Sequence, residues 1–405
     1  MDQPVVVTVL DGSEIRRRSQ MTNASAWGIG LEMQCAVPAG ALMRIEFEEA
    51  VVLGEVAHCR EAAGSYYVGV KLEQALKSLS GLDAKWGGLG APAPFVGPLP
   101  LPTHADALSW WIPMSRKAVV FGSAGQLGLE LARTLRERGY TVEGRDRADV
   151  DITDAAAVER TLAGCDPEVV YNAAAYNQVD VAEQEPRAAF LVNALAVRNL
   201  ALACRQVDAP LVHFSTDYVF DGFARHPYAE DDATHPLGAY AVSKLAGELY
   251  AQAYLDRVLV VRTSGVFGLG GLSTARGNFV ELMLRMAQSG QPIRVVEDHV
   301  ASPTFAPLLA GRTVDLAERG RQGVFHVGGG TPISWFQFAR SIFEVAGLRS
   351  TLQATNEREY RTPARRPKYS ALSNGKMERV GLEPMPPLRE ALEAYFARRK
   401  ALSAG

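Results

Sequence analysis

The stretch VVFGSAGQLGLELA, residues 119–132, decides the fold, because an apolar run meets a glycine pattern there. Gly122, Gly125 and Gly128 follow the run directly and open a helical pattern. Glycines at the first two positions let the backbone turn and approach a phosphate at a helix N-terminus, and the third lets the helix pack closely on the sheet. The stretch therefore predicts a dinucleotide-binding loop; the alternative is an ordinary tight turn between strand and helix.

The segments that follow alternate between strand-like and helical patterns. Apolar runs at KAVVF, TVEG, EVVYN, PLVHF and VLVVR are separated by helical patterns, among them one from Asp154, one near 186–206 and one near 239–255. Such alternation is typical of an α/β fold, a doubly wound parallel sheet with helices on both faces. We expect this Rossmann-type core over about 116–265 and a smaller C-terminal substrate lobe over about 266–405, where the alternation is less regular.

The chain before this core has a different character. Residues 1–76 hold short runs of alternating apolar and polar residues, such as GIGLEM and SYYVGVKL, which predict a small all-β domain. Residues 77–115 contain GGLGAPAPFVGPLPLPT and show no periodicity, which predicts a Gly/Pro-rich linker. We therefore expect two domains joined by this linker, the second spanning residues 116–405.

Composition limits the partners and the compartment. Lys and Arg number 42 against 45 Asp and Glu, a formal net charge of −3, which argues against nucleic acid as a partner. The cysteines form no CxxC pair and have no His at metal-ligand spacing, so we expect reduced thiols and no metal site: Cys35, Cys59, Cys165 and Cys204. No segment reaches the roughly 18 apolar residues of a membrane span, and we predict a cytoplasmic protein without a membrane partner.

Two stretches suggest how a dinucleotide would be held. EGRDRADVDIT, residues 143–153, ends the second predicted strand; Arg145 and Arg147 suit a 2′-phosphate, whereas Asp146 suits a free ribose. The choice favours NADPH but leaves NADH open, and solvated loop charges are the third reading. The small residues of NAAAY, residues 172–176, would let a flat cofactor lie against the backbone at the end of the third strand, although they also suit plain tight packing.

The stretch GAYAVSKLAGELY, residues 238–250, supplies candidate catalytic residues. Tyr240 and Lys244 are four residues apart and share one helix face, so the ammonium lies near the phenol. A tyrosine titrates near pH 10, too high for efficient proton transfer at neutral pH, and a neighbouring cation lowers its pKa. Many such pairs are solvated surface residues. The upstream glycine loop and Thr216, which ends a strand in VHFSTDYVFDG, favour a catalytic role here.

Thr216, Tyr240 and Lys244 in this order resemble the catalytic triad of the extended short-chain dehydrogenase/reductase superfamily. Further motifs, in the expected order over residues 117 to about 398, narrow the resemblance to the dTDP-4-dehydrorhamnose reductase family: GSAGQLG, DITD, NAAAY, VDVAEQEP, STDYVFDG, YAVSKLAGE, RTSGVFG, GNFVELML, ASPT, GVFHVGGG and RRPKYSAL. The resemblance implies reduction of the C4 ketone of a nucleotide-linked 4-keto-6-deoxyhexose by NADPH or NADH in deoxysugar biosynthesis.

The resemblance also implies roles for individual residues. Tyr240 would donate a proton to the ketone oxygen, Lys244 would lower its pKa and hold the ribose, and Thr216 would hydrogen-bond the ketone. The implied cofactor contacts are Gly122, Gly125, Gln126, Leu127, Arg147, Asp151, Ile152, Ala173, Ala174, Tyr240 and Lys244. The implied substrate contacts are Thr216, Asp217, Val219 and Asn278.

Two positions depart from the family pattern. Gly265, in Ser264-Gly265-Val266-Phe267-Gly268, stands where the family usually has tryptophan, so the pocket would take a different hexose or bind one loosely. His299 lies in Asp298-His299-Val300-Ala301-Ser302-Pro303-Thr304, where the family usually has glutamine, and a hydrogen-bonded loop residue is the simplest interpretation. The missing aromatic side chain at Gly265 and the additional N-terminal domain keep a second hypothesis open. In it the chain is a catalytically weak regulatory subunit that binds NADP.

The N-terminal domain resembles PilZ, a small β-barrel family that binds cyclic di-GMP. NASAWGIGLEM fits its motif through Asn23, Ser25 and Gly28. The RxxxR pair of that family is missing, and Arg16-Arg17-Arg18 would have to replace it at phosphates or guanine edges. The alternatives are a solvated strand end and a domain that docks a partner or forms a homodimer.

Overall fold

The computed structural model describes residues 3–9, 15–24, 28–47, 50–62, 65–76, 116–273 and 277–404. The chain divides into two compact units, Met1–Asp106 and Ala107–Gly405. The predicted linker, 77–115, lies outside the described residues.

The N-terminal unit is a closed antiparallel barrel with strand order β1-β2-β3-β6-β5-β4. Its strands are β1 (Gln3–Val9), β2 (Ile15–Ala24), β3 (Gly28–Met33), β4 (Leu42–Phe47), β5 (Ala50–Ala62) and β6 (Ser65–Leu76). Alternate side chains point inwards and fill the centre with small and branched apolar residues, among them Val7, Leu31, Met43, Ile45 and Val68. Closure leaves the sheet without an unpaired edge.

The second unit is built on a parallel sheet with strand order β14-β11-β10-β9-β7-β8. The strands are β7 (Arg116–Phe121), β8 (Tyr140–Arg145), β9 (Val169–Asn172), β10 (Leu211–Thr216), β11 (Val258–Thr263) and β14 (Gly323–His326). Strands β9, β10 and β11 are buried along their whole length, which explains their continuous apolar sequences. The chain order reverses direction between β7 and β9, so the carboxyl ends of these two strands flank the crevice where such sheets bind ligands.

Helices cover both faces of this sheet. Helices α1 (Gln126–Glu137) and α8 (Ala306–Glu318) enclose one apolar core. The other core lies under α2 (Ala155–Cys165), α5 (Ala196–Gln206) and α6 (Ala239–Tyr254). Two short helices, α3 (Val179–Ala182) and α4 (Pro186–Phe190), and a π-helical turn, Leu191–Leu195, lead into α5.

One helical run is apolar enough to be compared with a membrane span. The run Pro186–Gln206 has 21 residues and a mean hydropathy of 1.3 in its best window, of which 50% is buried. Val197, Leu200 and Ala201 of this run lie in the core beneath the sheet. The run is therefore the core helix of an α/β unit.

A smaller lobe follows the sheet. It contains α7 (Phe279–Gln288), the parallel pair β12 (Ile293–Val296) and β16 (Leu352–Thr355), the antiparallel pair β13 (Val300–Ala301) and β15 (Ile333–Ser334), and the helices α9 (Trp335–Ala346), α10 (Gly375–Arg379) and α11 (Leu388–Ala404). The structure differs from the expected boundary at residue 265. Helix α8 and strand β14 return to the sheet from beyond it, because GVFH pairs in register with β11.

Candidate active site

The glycine loop after β7 lies against the end of β9. Gly122 has a φ of +75°, which favours glycine, and a Cβ there would lie 2.6 Å from the backbone nitrogen of Ala174. A Cβ on Gly128 would lie 2.0 Å from the carbonyl oxygen of Gly122. The structure thus brings together the predicted loop and the predicted Ala173-Ala174 segment, in contact through backbone at the switch point of the sheet.

The N-terminus of α1 is open to an anion. Gly125 is its N-cap, no side chain caps the helix, and its first turn has no acidic residue. Uncapped amides and the helix dipole suit a pyrophosphate, so the residues present fit the dinucleotide that the sequence predicts. The Gln126 side chain is used elsewhere: it donates to the Val266 carbonyl at 2.8 Å and accepts from the Asn278 amide at 2.9 Å. A phosphate contact from Gln126 would therefore come from its backbone.

Asp146 at the end of β8 binds the glycine loop itself. Its carboxylate accepts from the Ser123 hydroxyl at 2.9 Å and from the Ala124 backbone amide at 2.9 Å. Arg145 pairs with Glu143 at 2.9 Å, whereas the Arg147 side chain is 92% exposed and 4.0 Å from Asp151. Arg147 is thus the less constrained of the two arginines for a cofactor phosphate.

The two remaining residues predicted beside the adenine follow β8. Asp151 accepts from the backbone amide and hydroxyl of Thr153 at 2.9 and 2.8 Å, which lowers the pKa of its carboxyl. Ile152 is buried against α2 in the core. Leu127 packs against the core on the opposite face of the sheet. Adenine contact by Asp151 and Ile152 stays a prediction.

The three predicted catalytic residues converge at the end of β10. Thr216 is buried, and its hydroxyl accepts from the Tyr218 backbone amide at 3.2 Å, which starts a short 3₁₀ turn over Asp217–Val219. The Thr216 hydroxyl also lies near enough to the Tyr240 phenol to lower its pKa. Lys244, one helical turn along α6, is buried and donates to the Phe214 carbonyl at 2.6 Å. The triad is therefore assembled from one strand end and one helix face.

The electrostatics of the triad differ in one respect from expectation. Burial raises the pKa of Tyr240 above its ordinary value, the Thr216 hydrogen bond lowers it, and Asp217 and Tyr218 raise it further. Burial lowers the pKa of Lys244 to about 8. The Tyr240 pKa is thus raised where the sequence predicts that it is lowered, and the Lys244 ammonium donates to the Phe214 carbonyl.

Asp217 lies at the centre of a buried network of hydroxyl groups. It accepts from Thr216 at 3.2 Å, from Ser264 at 2.8 Å and from Ser370. Burial raises the pKa of its carboxyl to about 6, against these three hydrogen bonds. Sequence reasoning missed Ser264 and Ser370 as site residues; the only signal was their place in the motifs RTSGVFG and RRPKYSAL.

A second supporting network lies beside Tyr240. The Tyr218 ring meets the Tyr240 ring edge-on, with centroids 6.2 Å apart. Arg366 lowers the pKa of Tyr218 and pairs with Asp180 through contacts of 3.0 and 2.8 Å. Arg366 belongs to the motif RRPKYSAL, which by itself gives no sign that this arginine lies beside the triad.

Two predicted substrate residues have structural roles. The Val219 side chain is fully buried in a cluster with Phe220 and Tyr228. Asn278 is the N-cap of α7, accepting from Glu281 N at 3.1 Å, and its amide also donates to the Gly268 carbonyl at 2.8 Å. Substrate contact by these two residues stays a prediction.

The structure shows which residues surround Gly265 and His299, the two departures from the family pattern. Gly265 has a φ of +51°, and a Cβ there would lie 3.3 Å from the Cη2 atom of Trp335 and 3.4 Å from the α-carbon of Pro303. An aromatic ring from α9 thus occupies the space beside the glycine. His299 is buried, and its Nδ1 is 3.2 Å from Asp298, so it is held as a loop residue. Among the residues that the structure describes, no group of three or more His, Cys, Asp or Glu could hold a metal ion.

In the barrel, Arg16, Arg17 and Arg18 lie on β2 opposite Thr8, Val7 and Val6 of β1. Asn23 pairs with Gly30 beside a register shift, and Gly28 begins β3. Arg17 is exposed, and Ser25 lies outside the described residues.

The fold and the site together define a class, the NAD(P)H-dependent oxidoreductases of the short-chain dehydrogenase/reductase type. Residues 116–401 match the family model described as the RmlD substrate binding domain. The dTDP-4-dehydrorhamnose reductase of Mycolicibacterium smegmatis is 40% identical over 287 residues, covering 70% of this chain and 86% of that protein. The chain belongs to the dTDP-4-dehydrorhamnose reductase family and is an NAD(P)H-dependent oxidoreductase, which confirms the family, the enzyme class and the cofactor predicted from the sequence.

Two further proteins show the same relationship. The spore coat polysaccharide biosynthesis protein SpsK of Bacillus subtilis is 37% identical over 285 residues, covering 70% of this chain and 98% of that protein. The crystal structure of dTDP-4-dehydrorhamnose reductase from Bacillus anthracis in complex with NADP is similar with a TM-score of 0.67 and 33% identity, covering 70% of this chain and 100% of that one.

Proposed function

We propose that this enzyme reduces the C4 ketone of a nucleotide-linked 4-keto-6-deoxyhexose in the synthesis of dTDP-rhamnose or a related deoxysugar. The observation that carries the proposal is the convergence of Thr216, Tyr240 and Lys244 at a strand end of a sheet whose switch point holds the glycine loop. A relative from Mycolicibacterium smegmatis named dTDP-4-dehydrorhamnose reductase supports the substrate class.

In this proposal the protein's own groups position the sugar and supply the proton. When bound, the reduced nicotinamide supplies the hydride to C4. Tyr240 gives its phenolic proton to the ketone oxygen, so that the product is an alcohol, and Thr216 holds that oxygen in place. The raised pKa of Tyr240 keeps the phenol protonated at neutral pH, as a proton donor requires. The buried Lys244 ammonium stabilises the phenolate that remains and orients the ribose.

The remaining assignments extend the same proposal. Gly122, Gly125, Leu127, Ala173 and Ala174 line the dinucleotide, and Asp151 and Ile152 border its adenine. Arg147 approaches a 2′-phosphate, which makes NADPH the preferred cofactor. Asp217, Val219 and Asn278 border the sugar, and the enzyme works in the cytoplasm.

The test is the absorbance of reduced nicotinamide in the presence of enzymatically generated dTDP-4-keto-6-deoxymannose, with NADPH and NADH in parallel. We expect a substrate-dependent loss of absorbance with the purified chain. No loss with either cofactor, although both bind in calorimetry, would contradict the proposal and favour the second hypothesis, a regulatory subunit that binds NADP without turnover. The observation favouring that hypothesis is Gly265, whose missing side chain leaves Trp335 as the neighbouring aromatic group.

For the first domain, residues 1–76, we propose a PilZ-like barrel that binds cyclic di-GMP through Arg16, Arg17, Arg18, Asn23, Ser25 and Gly28, linked by residues 77–115 to the enzyme. The closed six-stranded barrel and the exposed Arg17 support it. Calorimetric titration of the full chain with cyclic di-GMP tests it, and a flat titration at hundreds of micromolar would contradict it. Sedimentation of the same sample decides whether the chain forms the homodimer that we also propose.

A further inference from the structure

The Thr216 hydroxyl has one proton and two neighbours that accept it. Its Oγ1 is 3.2 Å from Asp217 Oδ1, and the Tyr240 phenol, whose pKa Thr216 lowers, is its other polar neighbour. The Tyr218 backbone amide donates to the same oxygen at 3.2 Å, so one of its two lone pairs is occupied in every state. The other lone pair and the single proton must be shared between Asp217 and Tyr240.

The two oxygens of Asp217 have different partners. Oδ2 accepts from the hydroxyl of Ser264 at 2.8 Å and from that of Ser370, whereas Oδ1 meets the hydroxyl of Thr216. A proton on this carboxyl therefore belongs on Oδ1, where it meets Thr216. Asp217 is only 3% exposed, so water is not the group that compensates its charge.

The charged groups around Asp217 are directed elsewhere. Lys244 donates to the Phe214 carbonyl at 2.6 Å, and Arg366 pairs with Asp180 at 2.8 Å. The Asp217 charge raises the pKa of two neighbouring phenols, Tyr218 and Tyr240. Without a cation on its carboxylate, burial raises the pKa of Asp217 to about 6, within the working range of an enzyme.

We propose that Asp217 is a positioning residue whose protonation sets the direction of the Thr216 hydroxyl and, through it, of the Tyr240 phenolic proton. With Asp217 ionised, Thr216 donates to Asp217 and accepts from Tyr240, so the phenolic proton is held by Thr216. With Asp217 protonated, its Oδ1–H donates to Thr216, and Thr216 donates to the Tyr240 oxygen. The phenolic proton then turns to the ketone. In both arrangements the Thr216 hydroxyl donates one hydrogen bond and accepts two.

This inference rests on the proposed function in one respect, that Tyr240 is the proton donor. It predicts that kcat/KM falls as pH rises through the Asp217 titration, by up to about tenfold per pH unit until a plateau. Asp217→Asn imitates the protonated state, because its amide nitrogen donates to Thr216 while its oxygen accepts from the two serines. We expect this variant to lose the inflection and to exceed the wild type at high pH. An unchanged inflection in Asp217→Asn would overturn the inference.

A second variant and a second readout keep the test decisive. Ser370→Ala removes a donor to the carboxylate and leaves Thr216 and Tyr240 in place, so it should move the inflection upward by roughly one pH unit. If the inflection does not move in Ser370→Ala, Asp217 is not the titrating group. This result decides the question even if Asp217→Asn does not fold. Infrared difference titration detects the absorption band of the protonated Asp217 carboxyl and needs no sugar substrate. The band should be absent in Asp217→Asn. If the wild type turns over no sugar, the proposed function fails, while the infrared titration still decides whether Asp217 is the group.

Discussion

The glycine loop and the end of β10 lie at the same edge of one sheet, but they are built in different ways. The loop is defined by side chains that are missing, since a Cβ on Gly122 or Gly128 would overlap backbone. The end of β10 is defined by buried side chains that hydrogen-bond one another, with Asp217 and Thr216 at the centre. The comparison teaches that the two halves of the site work differently. The loop offers space and backbone amides, whereas the end of β10 offers buried polar side chains that hold charge and protons.

This difference predicts which measurement each half controls. Changes in the loop should alter cofactor affinity, because the loop provides space and backbone amides. Changes at the end of β10 should alter turnover and its pH dependence, because that region provides a proton and its orientation. The following predictions are designed to test that division.

The largest effect is expected for Tyr240→Phe, which removes the proton donor. We expect kcat to fall by about 100-fold to 10,000-fold while the dissociation constant of NADPH changes by less than about threefold. Steady-state kinetics and calorimetry on the same preparation measure both. Tyr250→Phe, on the same helix but packed against Tyr254 at 6.1 Å, is the matched control and should keep full activity. Unchanged turnover in Tyr240→Phe would remove the triad from the mechanism.

The next effect concerns the support behind β10. Glu248 and Arg262 are 1% and 5% exposed, and their closest contact is 2.7 Å. Glu248→Gln leaves the Arg262 guanidinium buried without a carboxylate, which should lower the free energy of unfolding by about 3–5 kcal/mol. Denaturant titration measures it.

The control for this change is the exposed pair Arg389 and Glu393 on α11. Glu393→Gln should cost less than about 0.5 kcal/mol, because water already solvates both groups. Equal losses of unfolding free energy in Glu248→Gln and Glu393→Gln would contradict the prediction, because the buried pair would then stabilise no more than the exposed one.

A smaller effect is expected in the loop. Gly128→Ala places a methyl group 2.0 Å from the Gly122 carbonyl oxygen, so α1 must move away from the loop. We expect NADPH to bind about tenfold to a hundredfold more weakly, with kcat at saturating cofactor within about threefold of the wild type. Gly164→Ala in α2 meets no heavy atom within 4 Å and serves as the control. A fall in kcat without a change in affinity would contradict the division between the two halves.

The loop half of the site could be predicted from sequence, and the reason is physical. Glycine spacing, the preceding apolar strand and the following helix are local, so Gly122, Gly125 and Gly128 report the turn directly. The alternation of strands and helices likewise predicts the parallel sheet. The sequence does not reveal that β14 joins this sheet, because GVFH is a short apolar strand whose partner, β11, lies more than 60 residues earlier. Pattern alone does not show which sheet such a strand joins.

The β10 half could be predicted only in part. Thr216, Tyr240 and Lys244 are found through their order and the helical spacing of the last two. Ser264 and Ser370 reach Asp217 from 47 and 153 residues away, and no local pattern signals such contacts. The direction of the Lys244 ammonium, towards the Phe214 carbonyl, is likewise set by packing between α6 and β10.

The smallest effect is expected for Arg147→Ala, because Arg147 should make the weakest cofactor contact in the loop half of the site. Its side chain is 92% exposed and its nearest acidic partner, Asp151, is 4.0 Å away, so any contact with a 2′-phosphate is made in water. An exposed charge pair of this kind stabilises by about 0.5–1 kcal/mol, so NADPH should bind about twofold to fivefold more weakly while NADH binding stays the same. NADH is therefore the internal control. Raising the salt concentration should shrink the difference between wild type and variant, because mobile ions screen exposed charges. A loss of NADH affinity as large as that of NADPH would show that Arg147 supports the loop's shape, and the 2′-phosphate contact would have to be assigned elsewhere.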